Sequence, residues 1–145
     1  MFQHLLMPVD GTPGSEAAFR KALEFAAAIG ARLTLLHVIP DFQLHTYQVE
    51  LLGDTRTRYA REASRAAEDY LGGFASEAVE AGVPCDTVAL IHDHPYEAIL
   101  DTARDKGCDL IAMASHGRRG MVGMLLGSET RKVLTHGSIP VLVYR

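Results

Sequence analysis

Apolar and polar positions along this chain switch repeatedly between the short period of a strand and the longer period of a helix. Gln3 to Val9 is a short apolar run, and Asp10-Gly11-Thr12-Pro13-Gly14 follows it as a turn cluster. Thr12 as N-cap and Pro13 at the first helical position predict a helix through about Ile29, because proline's fixed φ suits a site whose N–H needs no partner. Ala18, Ala22, Phe25 and Ile29 share one face of it, and Gly30 stops it. Arg32 to Ile39 predicts the second strand, closed by Pro40, and a less regular stretch runs from Asp41 to Asp54.

A long helical pattern covers about Thr55 to Ala81, with Tyr59, Ala63, Ala66, Tyr70, Phe74 and Ala78 at helical spacing. Gly72-Gly73 weaken it by about 1 kcal/mol each relative to alanine, so a bend or break is expected there. Cys85 to His92 predicts the third strand. Pro95 opens a helix through Lys106, with Tyr96, Ile99, Leu100 and Ala103 inward and Gly107 at its end. The run Cys108 to Met113 is the fourth strand, Ser128 to His136 the fourth helix, and Ile139 to Tyr144 the fifth strand. Strands joined by helical crossovers form a parallel sheet with helices on both faces, an α/β three-layer sandwich. Ligands of such sheets lie beyond the carboxyl ends of the strands, where the strand order reverses.

That rule directs attention to two polar clusters. Asp10 to Ser15 follows the first strand, and Ala114-Ser115-His116-Gly117, continuing to Gly127-Ser128-Glu129-Thr130, follows the fourth. A strand feeding a glycine-bearing loop that opens onto a helix N-terminus suits phosphate. The first amides of the helix lack intrahelical partners, its dipole favours an anion, and glycine admits close approach. Gly-Ser ahead of a helix is equally an ordinary cap. If the first and fourth strands are neighbours, however, the two clusters face each other across one crevice.

Composition narrows the function classes. The chain has 145 residues, 48% apolar and 22% charged, which suits one globular domain over residues 1–145. A net charge of −4 with 14 basic residues argues against a nucleic-acid partner. Leu5-Leu6-Met7 is too short for the apolar core of a signal peptide. No run approaches the roughly 20 apolar residues of a membrane span, so no membrane partner and a cytoplasmic location are expected. Cys85 and Cys108 fit no paired metal spacing and read as buried reduced thiols.

Val9-Asp10-Gly11, His37-Val38-Ile39-Pro40 and the run from Ala114 to Val143 resemble the universal stress protein family, over essentially the whole chain. The family's nucleotide pattern is Gly, two residues, Gly, nine residues, Gly, then Ser or Thr. Here it reads Ala114, Gly117, Gly127 and Ser128, with alanine in place of the first glycine. The resemblance implies a flavodoxin-like, Rossmann-like sheet of five parallel strands in the order 3-2-1-4-5. It also implies a homodimer, formed here through Val141 to Tyr144, and a bound adenine nucleotide, ATP or AMP, with Mg²⁺ left open. The backbone at Val38 would read the adenine edge, with Pro8 and Asp10 close to the adenosine. Gly117, Gly127 and Ser128, flanked by His116, Arg118, Glu129 and Thr130, would hold the phosphates. Ala114 is expected to leave binding weakened or unchanged, since glycine is required only at positive φ or very close approach.

Other residues invite sharper readings. His92-Asp93-His94 looks like a metal fragment, but neighbours in a strand point to opposite faces, and capping or loop solvation accounts for it better. Arg118 and Arg119 are placed to offer charge to a polyphosphate or simply to solvate the loop; Met113, Met121 and Met124 read as packing residues. No lysine lies in the loop and no clear second carboxylate accompanies Asp10, so a nucleotide would serve as a switch and not a substrate. Gly120 and Gly123 would let the loop order around phosphates for an unidentified protein partner to read. The alternatives are a ligand-free interaction protein or a slow ATP-hydrolysing enzyme.

Overall fold

The computed structural model of the chain describes residues 1–41, 53–115 and 126–145. The predicted His116, Gly117 and Arg118, with Arg119, Gly120, Met121, Gly123 and Met124, lie outside the described residues, as does most of the irregular stretch after Asp41. The elements run in strict alternation: β1 His4–Pro8, α1 Pro13–Ile29, β2 Arg32–Ile39, α2 Gly53–Glu80, β3 Cys85–Ile91, α3 Pro95–Lys106, β4 Leu110–Ala114, α4 Ser128–His136 and β5 Val141–Tyr144. All pairings are parallel and the strand order is β3-β2-β1-β4-β5. The five-stranded flavodoxin-like α/β sheet expected from the resemblance is therefore the fold.

Local chemistry sets the helix ends. Thr12 caps α1, its hydroxyl accepting from Ser15 N at 3.2 Å, with Pro13 following. Gly30 and Gly107 close α1 and α3 in the left-handed region, at φ 70° and 71°, where a Cβ is strained. The glycines of α2 do not interrupt it. Gly72 and Gly73 both face solvent, while Leu71 and Phe74 on either side are buried. Packing of that face outweighs the local propensity cost.

The two faces of the sheet bury separate cores. Leu5, Met7, Leu33 and Leu35 pack against α1 and α2, whereas Leu6, Leu36, Ile111 and Met113 pack against α3 and α4. The buried stripe of α1 differs from the predicted one: it carries Ala18, Phe19, Ala22, Leu23 and Ala26, with Ile29 exposed. Phe19 meets Phe74 of α2 edge-on at 4.7 Å and centres the stripe on itself. Cys108 is buried and Cys85 half-buried; burial and the nearby Asp86 carboxylate push both thiols up to about 11, so they stay protonated.

A polar row crosses the amino-terminal end of the sheet within the α3 layer. The Thr34 hydroxyl donates to Asp86 Oδ1, and Lys106 Nζ donates to Asp86 Oδ2 at 2.8 Å. Since Thr34 gives its single proton to Asp86, the ring Nε2 of His4, 2.6 Å away, must be the donor to Thr34 Oγ1. Burial and then the Arg32 charge hold His4 below its usual 6.5, against the opposing pull of Asp86 and Asp109. As pH falls through that usual value the unfolded chain takes up a proton that the folded chain resists, so stability declines toward the lower folded value. Urea unfolding between about pH 7.5 and 5.5 is expected to show this loss, above the range where carboxylates titrate. His4→Gln, which keeps a donor, should flatten it; an equal loss in the variant would assign the effect elsewhere.

Candidate functional site

The reversal of strand order falls at β1, which pairs with β2 on one side and β4 on the other. The chain leaving β1 and the chain leaving β4 therefore emerge side by side at the carboxyl edge. A cleft of about 500 Å³ opens there, in the size range of small-molecule sites. Pro8 and Asp10 from the end of β1, Val38 from β2 and Ala114 from β4 all line it. Gly127, Ser128, Glu129 and Thr130, from the start of α4, complete that wall.

Each wall is held by local bonds. Asp10 Oδ1 accepts from Thr12 N at 3.0 Å and from the Thr12 hydroxyl at 2.6 Å. Asp10 N in turn donates to the buried Ser15 hydroxyl at 3.1 Å. The carboxylate thus braces the residue that caps α1, fixing the β1–α1 turn at the cleft. Opposite, Ser115 N donates to Tyr144 O, and Gly127 N donates to Ser115 O at 2.5 Å. The Thr130 hydroxyl reaches Ala114 O at 3.2 Å. These bonds pin both ends of the β4–α4 connection. Gly127 precedes α4 in extended conformation, and among the described residues no side chain caps that helix. Its first amides therefore remain open to an anion.

The cleft also gathers residues that the sequence reading placed elsewhere or passed over. His37, His92, Asp93, His94 and Lys132 line it. His92-Asp93-His94 sits at the carboxyl end of β3, the same edge of the sheet, so the strand-end rule held the signal. His92 Nδ1 accepts from His94 N at 2.9 Å, and His94 occupies the N-cap position of α3 without a side-chain bond to it. The acceptor at that helix start is Glu129 Oε2, 2.9 Å from Tyr96 N. Lys132 Nζ lies 3.3 Å from Glu129 Oε1 and 5.5 Å over the Tyr96 ring. Asp93 and Glu129 thus join Asp10 in one cleft, where the sequence had suggested no second carboxylate. Among the described residues no three His, Cys, Asp or Glu side chains converge as a metal-binding group.

Known proteins supply an independent comparison. The model of the Universal stress protein family matches residues 1–145. A universal stress protein of Thermus aquaticus is 32% identical, with both chains covered in full. The Methanocaldococcus jannaschii protein MJ0577 is 26% identical and superimposes with a TM-score of 0.85 over 99% of this chain and 95% of its own. Two more distant structures share the fold. One is a universal stress protein in complex with cAMP, at 22% identity and a TM-score of 0.65 over 99% of this chain and 97% of its own. The other is an Archaeoglobus fulgidus universal stress protein in complex with dAMP, at 18% identity and a TM-score of 0.64 over 100% and 98%.

Proposed function

This chain belongs to the universal stress protein family, and on that premise we propose that it binds an adenine nucleotide, ATP or AMP, in the cleft at the carboxyl ends of β1 and β4. One observation carries the reading: Asp10 and the start of α4 at Gly127-Ser128 line the same cleft. Adenosine would lie between Pro8, Asp10 and Val38, and phosphates at the α4 amides with Gly117 and its neighbours His116 and Arg118. The cAMP and dAMP carried by relatives of the same fold support the ligand class.

The nucleotide acts as a switch in a cytoplasmic homodimer that addresses a protein partner. Hydrolysis needs a positioned metal and an oriented water in addition to a phosphate cradle. Two of the three cleft carboxylates are engaged in holding the walls, Glu129 by Tyr96 N and Lys132 and Asp10 by Thr12. Such a site stabilises ground and transition states alike, which gives affinity without rate.

Calorimetric titration with ATP, AMP and GTP tests the binding: heat with the adenine nucleotides and little with GTP is expected. No heat with any adenine nucleotide up to about millimolar, the weak end of measurable affinity, overturns it. Phosphate release is expected well below about 1 s⁻¹, the low end of ordinary enzyme turnover; a faster rate would make this protein an enzyme.

A further inference from the structure

Resting on the nucleotide reading above, we infer that Lys132 is a further side chain that selects phosphorylated over unphosphorylated adenine ligands in this chain, taking hold of the phosphate tail from the wall between α3 and α4. Lys132 lies one helical turn after Ser128 and lines the same cleft. Side chains on a helix lean toward its N-terminus, which brings this ammonium level with the first turn of α4. The 3.3 Å separation from Glu129 Oε1 marks that height.

The charge inventory gives the lysine its importance. Histidines aside, the other charged side chains lining the cleft among the described residues are Asp10, Asp93 and Glu129, all acidic. A phosphate tail entering there passes these carboxylates, and among the described residues Lys132 is the lysine or arginine that lines the cleft. Glu129 cannot swing with it, because its second oxygen is held by Tyr96 N at 2.9 Å. The Lys132 side chain is 48% exposed and has a flexible four-carbon stem. It can therefore turn from Glu129 toward a phosphate oxygen while staying over the Tyr96 ring. Ser128 and Lys132, four residues apart on one helix face, then present a hydroxyl and an ammonium to the same anion.

The experiment compares adenosine, AMP and ATP by calorimetry on the wild-type chain, Lys132→Gln and Lys132→Arg, at low and physiological salt. Wild type is expected to prefer ATP to adenosine. Lys132→Gln should bind ATP about tenfold more weakly, the size of one charge-assisted contact partly screened by solvent. Its adenosine affinity should be unchanged, its salt dependence shallower, and Lys132→Arg should restore most of the ATP affinity. A glutamine variant that binds ATP as tightly as wild type overturns the inference. So does one that loses adenosine and ATP alike, since that marks a disturbed wall and not a phosphate contact. If wild type binds adenosine and ATP equally, this inference fails and the cleft reading stands. If it binds none of the three, both fail.

Discussion

Gly127→Val is expected to abolish adenine-nucleotide binding, a loss of about a hundredfold or more, near 2.8 kcal/mol on the logarithmic scale of affinity. Gly127 has φ −65° and ψ 159°, a conformation valine adopts without strain. Its amide donates to Ser115 O, a bond any residue preserves. Gly127, at the N-cap of α4, has no side chain of its own, so the substitution removes no capping bond, and an apolar residue in place of glycine there costs about 1 kcal/mol or less. What valine does add is volume at the helix start that an anion must approach closely. Titration of ATP alongside a thermal melt separates the two effects: binding is lost while the melt shifts by a few degrees at most. Gly127→Ala, with one methyl, should fall between. Unchanged ATP affinity in the valine variant would mean that the phosphates do not use the start of α4.

The contrast between what was legible and what was not follows from the range of the forces involved. The bounds of α1, β2, α3 and α4 stand as expected because short-range chemistry writes them, through Thr12-Pro13, Gly30, Pro95 and Gly107. Strand ends depend on a partner instead. Ile139 and Pro140 read as strand, yet β5 begins at Val141, opposite Ile111 of β4. Gly72-Gly73 mislead because burial on the far face of α2 decides the helix. The row from His4 through Thr34 to Asp86 is invisible in sequence, since Thr34 lies inside an apolar run and its acceptor is 52 residues away. The cleft was half legible: Asp10 and Gly127-Ser128 carry a family pattern, while Lys132 and His92-Asp93-His94 become cleft residues only once the strand order brings three strand ends together.

Val143→Lys is expected to leave the chain monomeric, the other large effect. Among the described residues β5 has β4 on one side and no strand on the other. The carbonyls of Pro140 and Tyr144 accept from Ile111 N and Ser115 N, so these positions of the strand face β4. Strand alternation then turns the backbone groups of Val141 and Val143 outward. An apolar edge with open donors and acceptors is one that proteins cover. A second copy related by a two-fold axis would cover both edges at once, by antiparallel pairing of β5 with β5. Lysine at position 143 would bring two like charges close to that axis, where each lacks a counter-ion and loses water. Sedimentation of the 15.8 kDa chain should give twice that mass for wild type and the single mass for the variant. Val79→Lys, at a position on α2 that is already 71% exposed, serves as the control and should stay dimeric. A wild-type chain that sediments as a stable monomer at tens of micromolar, or a Val143→Lys chain that remains dimeric, would remove β5 as the interface.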